Sequence, residues 1–336
     1  MGQKGVCRNL GKMVFCLVGL KCKWIYRGVI GSGLASNWGM KLTQLDRFVW
    51  YWGAKKMAMQ VMRLFLTCLG IVVVFSNHLF AQIPGEIRLE KGQKLRFQVD
   101  HQTEVTDTQG ETRTTVKNLV RVTKRLEVLE ADPDSKLFRI ALVLEKLKME
   151  TVRPNGQVLS FDSEDSKSQE SPLAKSLAPL VGKDTARLKV DHLGRVLEVQ
   201  SEQMPAGRYE VEPVFLIVLP GRGLKVGDNW QRAYNATLDP PAGTGEKIPM
   251  IQTYSVDGME GGKARIRLAT SWKEEPKTAN DQMPLLQYLP EGMVVIDSAT
   301  GLPLEATLKV DREIKEPTGA NSSYRFQSVY KEKRLD

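Results

Sequence analysis

Beyond residue 90 the chain alternates apolar and polar residues with a period of two. In 95–105, Leu95, Phe97, Val99, His101, Thr103 and Val105 alternate with Arg96, Gln98, Asp100, Gln102 and Glu104. Such a period turns one set towards a core and the other towards water, and it predicts a half-buried strand. Residues 116–128 continue the theme, with Val120, Val122, Leu126 and Val128 on one side. Ala131-Asp132-Pro133-Asp134-Ser135 is turn chemistry, after which Phe138, Ile140, Leu142 and Leu144 resume the alternation. The apolar phase then slips to Leu147 and Met149, which predicts a bulge. Residues 153–156 turn again into a short strand over 158–161, and a polar loop follows over 162–171. A short helix is predicted next: Pro172 opens it, Leu173, Leu177 and Val181 share a face, and Gly182 closes it. Leu188 and Val190 lead into the turn Asp191-His192-Leu193-Gly194 and out through Val196 and Val199.

The second half repeats this order. The turn glycine Gly92 ahead of Leu95 has a counterpart in Gly227 ahead of Trp230, and residues 253–268 mirror the first long hairpin with a shorter turn. Asp297-Ser298-Ala299-Thr300-Gly301 mirrors the 191–194 turn. This is the pattern of a duplicated β unit of roughly 110–135 residues, with the helix and loop of 162–182 as an insertion in the first copy. The predicted fold is therefore mainly β: two tandem antiparallel meanders, as curved sheets or half-barrels, with one or two short helices, preceded by an N-terminal signal helix. The units span 86–204 and 226–336. Between them, within a connector over 205–225, Pro213-Val214-Phe215-Leu216-Ile217-Val218-Leu219-Pro220 is the most apolar stretch of the body. It is too short to cross a bilayer, so it belongs where the two units meet. Leu173, Leu177, Val181, Phe215, Leu216 and Ile217 form the candidate apolar surface.

Composition changes the picture at the N-terminus. Of 48 basic and 39 acidic residues, 1–81 hold eleven basic and one acidic, together with all four cysteines. The remainder is near neutral, which leaves no polyanion-binding footprint and argues against a nucleic-acid partner. Without cysteine it forms no disulfide and no thiolate metal site. Lys55, Lys56 and Arg63 precede the apolar run Leu64-Phe65-Leu66-Thr67-Cys68-Leu69-Gly70-Ile71-Val72-Val73-Val74-Phe75, and the tract ends Leu79-Phe80-Ala81-Gln82. A positive flank, a short apolar core and a small exit residue are the parts of a secretory signal, so 57–81 reads as a signal peptide with cleavage between Ala81 and Gln82. An uncleaved signal anchor is the alternative. Either way the body is extracytoplasmic, periplasmic or secreted, and its membrane contact is confined to this segment. Residues 1–56 fit no signal pattern and read as a non-native or cytoplasmic basic extension.

Gly92-Gln93-Lys94, Lys225-Val226-Gly227-Asp228-Asn229-Trp230 and Ala178-Pro179-Leu180-Val181-Gly182-Lys183 ahead of the 191–194 turn carry a resemblance. Across most of 86–315 the chain resembles a family of exported, β-rich bacterial proteins built on a domain of unknown function. The resemblance implies secretion and a β-rich fold, and it carries over no catalytic residue. In architecture the chain is also similar to lipoprotein-carrier half-barrels, in which a curved antiparallel sheet wraps an apolar groove.

Chemistry is sparse. His101 lies on an apolar strand face, where a hydrogen-bonded core histidine is expected, and His192 lies in a turn; neither belongs to a metal-binding pattern. There is no G-x-S-x-G elbow, and the glycine-rich 220–227 segment lacks the G-K-[ST] ending and leads into a strand, so it reads as a turn. Asp162, Glu164 and Asp165 lack the alternate spacing and bend glycine of a calcium loop. No cofactor, metal ligand or catalytic residue is assigned. Three functions follow in order: an exported binding or carrier module for an apolar ligand or an envelope protein, with its groove between the sheet and the 172–182 helix; a structural envelope protein without a pocket; and an extracytoplasmic hydrolase. The last would need His101 or His192 within hydrogen-bond reach of a serine or carboxylate in a cleft.

Overall fold

A computed structural model describes residues 83–200, 211, 213–238 and 243–335. The extension over 1–56, the signal segment and the Ala81–Gln82 junction lie outside these residues. Twelve strands form one antiparallel sheet: β1 (Lys94–Gln109), β2 (Thr112–Asp132), β3 (Leu137–Val152), β4 (Val158–Asp162), β5 (Asp184–Asp191), β6 (Val196–Gln200), β7 (Asn229–Leu238), β8 (Glu246–Glu260), β9 (Lys263–Trp272), β10 (Glu291–Asp297), β11 (Pro303–Lys315) and β12 (Ser322–Arg334). Their order is β6-β5-β3-β2-β1-β12-β11-β10-β9-β8-β7, with β4 added beside β3.

The mainly β fold and its tandem meanders are thus observed, and the two meanders share one sheet. From one edge to the other, the order β6-β5-β3-β2-β1 recurs as β11-β10-β9-β8-β7, and β12 fills the seam against β1. Local chemistry repeats as well. Gly92 and Gly227, at φ 83° and 89°, donate to the carbonyls of Val128 and Val256 in equivalent places. The Asp191 carboxylate accepts from the backbone of Leu193 and Arg195, and that of Asp297 from Ala299 and Thr300. Each copy also carries a helical excursion: α1 (Ala174–Leu177) before β5 in the first and α2 (Ala279–Gln282) before β10 in the second. The sequence reading allowed for this second helix but did not place it. The first is shorter than predicted, because it passes into a 3₁₀ turn over Ala178–Leu180 at Pro179. The predicted bulge is present where the β2–β3 register shifts between Thr123 and Lys124.

The two faces of the sheet differ as the period of two requires. One carries cross-strand ion pairs such as Arg121–Asp100, Lys117–Glu104 and Arg325–Asp311. The other is apolar and is covered in three places. Over the middle lies a strap made of 83–90 and 213–224, whose Ile83, Phe215, Ile217 and Leu224 are fully buried in a cluster shared by both meanders. Strap and turns are stitched together by Ile87 N–H to the His192 carbonyl, Arg88 N–H to Thr300 and Leu219 N–H to Leu193. Each buried aliphatic or aromatic side chain there contributes about 1.5–3 kcal/mol, which makes the strap part of the core. Helix α1 covers Leu147 and Phe161, and α2 with its following 3₁₀ turn (Met283–Tyr288) covers Ala236, Met250 and Ile314.

Candidate functional site

The odd residues of β1 and the even residues of β12 face the apolar side, so the register brings His101 opposite Tyr330 and Thr103 opposite Ser328. His101 Nε2 lies 2.9 Å from Ser328 Oγ, and the imidazole meets the Tyr330 ring edge-on at 5.7 Å. The histidine is half-buried; Ser328 is 9% exposed. The pair borders a cleft of about 100 Å³ whose floor is Leu268 of β9, Leu308 and Val310 of β11, and Gln252 of β8. Its roof comes from the strap (Pro213, Leu216), from Val211 just ahead of it, and from Gln287 and Pro290 beside α2.

Two features hold this wall in place. The Tyr330 hydroxyl donates to the Glu332 carboxylate, which also pairs with Lys124 Nζ at 2.7 Å, and Lys124 in turn lies over the Phe97 ring. At the floor, Gln252 donates to Thr270 Oγ1 and accepts from the Tyr254 hydroxyl, whose pKa burial pushes up. Leu216 on the roof sits at φ 61°, a left-handed conformation that costs a branched residue about 1–3 kcal/mol. Its N–H bonds to the Pro213 carbonyl, and the Ile217 N–H to that of Phe215, so the strap is tightly turned where it closes the cleft.

The candidate apolar residues divide between places. Leu216 lines the cleft, while Phe215 and Ile217 are fully buried beneath the strap. Leu173, Leu177 and Val181 are partly buried and pack against Leu147, Phe161 and Ala174 beneath this helix, away from the His101–Ser328 cleft. Sequence reasoning found His101 but missed Ser328, Tyr330, Gln252 and the floor. His192 lies 3.6 Å from Glu86 Oε1, beyond hydrogen-bond length, and Lys136 holds the Glu86 carboxyl below its usual range by bonding to it. A larger hollow of about 440 Å³ lies over β1–β3 and β12, bordered by Gln102, Glu104, Lys117, Leu119 and Glu150. It is an open, ion-paired sheet surface, whereas the smaller cleft joins an apolar floor to a half-buried polar pair.

The chemistry of the pair is limited by its setting. Imidazole and hydroxyl are in contact, yet the Ser328 backbone belongs to the ladders with β1 and β11, so its amide lies within a strand and not at a helix start or turn where an oxyanion hole forms. The arrangement suits recognition: an apolar surface with one hydrogen-bonding point.

No protein-family model and no curated protein matches the chain. Among solved structures it is similar to lipovitellin, in a structure concerned with lipid–protein interactions, at 10% identity and a TM-score of 0.46 over 74% of this chain. That match spans about a quarter (26%) of the lipovitellin chain. An outer-membrane channel from Pseudomonas putida F1 aligns over 74% of this chain and 98% of its own, at 8% identity and a TM-score of 0.18. At these scores neither likeness defines a shared fold.

Proposed function

We propose that this chain is an exported, non-catalytic binding module of the bacterial cell envelope, which holds the end of an apolar ligand in the His101–Ser328 cleft. The observation that carries the reading is the cleft itself: Leu268, Leu308 and Val310 beneath, a strained Leu216 above, and a polar pair at the wall. Export rests on the apolar run over 64–75 and its basic flank. At about 100 Å³ the cleft is smaller than the ~300 Å³ at which ligand pockets begin. It therefore takes one end of a ligand, and a longer one requires the strap to shift.

Native mass spectrometry of the chain purified from cell envelopes tests this. The expected result is a bound apolar species that is lost when Leu308→Trp fills the floor while the fold is kept. A bare wild-type chain would leave the scaffold reading, a β protein of the envelope with no ligand. The 2.9 Å histidine–serine contact favours a hydrolase as second reading. Labelling of Ser328 by a fluorophosphonate, abolished in His101→Gln, would establish that one; the binding reading expects no label.

A further inference from the structure

We propose that the outer edge of β7, unpaired among the described residues, pairs with the same edge of a second copy of this chain, continuing the sheet across a two-fold axis. The two edges of the sheet are not alike. β6 is five residues long, carries Glu198, and meets β5 with a register shift, all devices that blunt an edge. β7 is ten residues long, is paired to β8 without interruption, and has no proline. Its one charge, Arg232, is turned onto the apolar face over the Tyr234 ring, where it donates to the Val211 carbonyl. An inward-pointing charge can itself blunt an edge, but this guanidinium is held by the Tyr234 ring and the Val211 carbonyl. The other nine residues carry no charge, and a long edge of that kind is a template for another strand.

The backbone also fixes which residues are offered. Val256 N–H bonds to the Asp228 carbonyl and Gly245 N–H to that of Leu238, so the even-numbered residues of β7 direct their backbone groups to β8. By the alternation of antiparallel pairs, the odd-numbered residues direct theirs outward. Asn229 is capped, because its carbonyl accepts from Arg222 at 3.5 Å. Among the described residues, nothing bonds to the outer backbone groups of Gln231, Ala233, Asn235 and Thr237. These four are centred on Tyr234. Antiparallel pairing about Tyr234 matches Gln231 with the partner's Thr237 and Ala233 with the partner's Asn235, using all four and leaving the capped Asn229 outside. It sets Arg232 opposite the partner's Ala236, so no charge faces its like. An isologous contact of this kind closes as a dimer.

Sedimentation equilibrium of the full chain in a mild non-ionic detergent is expected to give twice the 37.7 kDa chain mass. Ala233→Pro removes one outward N–H without breaking a bond to β8, and it is expected to give a monomer with unchanged circular dichroism. For the register, A233C and N235C chains are mixed, oxidised and digested. Disulfides joining 233 to 235 should exceed 233–233 and 235–235 links by roughly fivefold, because only that pair comes within bridging distance. A monomeric wild type overturns the proposal, as does a dimer that Ala233→Pro leaves intact. If that variant loses its β signal, the disulfide ratio decides, and an unenriched 233–235 link overturns the proposal.

Discussion

The ion pair between Lys124 and Glu332 joins β2 to β12 across β1, on the apolar face of the seam that unites the two meanders. Their side chains are 17% and 2% exposed and lie 2.7 Å apart, and the second oxygen of Glu332, Oε1, is buried without a hydrogen bond. Removing one member of a buried pair strands the other charge, at about 3–5 kcal/mol. Glu332→Leu should fall at the lower end, about 3 kcal/mol, because the stranded ammonium keeps some access to water. Lys124→Met strands a carboxylate with almost none, and should cost about 4–5 kcal/mol. Replacing both with side chains of similar volume removes the desolvation together with the attraction. The double variant should therefore lie within about 1 kcal/mol of wild type, giving a coupling of roughly 6 kcal/mol or more. Urea unfolding of the four chains, followed by circular dichroism, measures this cycle. Single costs below about 1 kcal/mol that simply add would refute the reasoning, since they would make the pair an ordinary solvated contact.

The strap gives a second expectation. Gly301 sits at φ 73°, and a Cβ there would meet the Glu86 carbonyl at 2.9 Å, so Gly301→Ala should cost about 2–4 kcal/mol. Gly92→Ala, at φ 83° in open space, should cost only about 1 kcal/mol, and equal midpoint shifts would contradict the clamping of strap against turn. Burial raises the Tyr254 pKa, so the unfolded chain loses that proton first and stability falls as pH rises past the ordinary tyrosine value of about 10. Tyr254→Phe should flatten this alkaline slope in urea midpoints between pH 8 and 11, and should cost about 1–2 kcal/mol at neutral pH as Gln252 loses its donor; an unchanged slope would contradict it. Glu86, held below its usual pKa chiefly by the Lys136 bond, stabilises the fold at neutral pH and ceases to as pH falls through its folded value. The pair is partly exposed, so Glu86→Gln should cost less than about 1 kcal/mol at pH 7 and nothing in acid, as the same midpoints would report.

Most of the sheet was legible because its strands expose one face. The alternation of Leu95 to Val105, the turn at 131–135 and the slip to Leu147 each left a local mark, and each has its counterpart in the structure. Gly92 and Gly227 marked the recurring strand order, because both adopt a left-handed conformation at the start of equivalent strands. The second helical excursion was not legible: residues 279–288 include Asn280, Asp281 and Pro284, show no helical period, and are held by packing of Leu285 and Leu286. β12 hid its role because Ser328 and Glu332 interrupt its apolar face, and those are the residues that meet His101 and Lys124. The cleft was out of reach for the same reason. Ser328 is 227 positions from His101, and only closure of the seam brings them together. The apolar connector was rightly marked for burial, but nothing in its composition says that one residue, Leu216, would roof a cleft while its neighbours fill the core.

Photolabelling tests the binding account most directly. The full chain would be irradiated with a fatty acid carrying a terminal diazirine, and the modified residues identified by mass spectrometry. The account predicts adducts on Leu216, Leu268 and Leu308, suppressed by excess unlabelled fatty acid and by Leu308→Trp. Adducts spread over the charged face, or confined to the residues around α1, would contradict it.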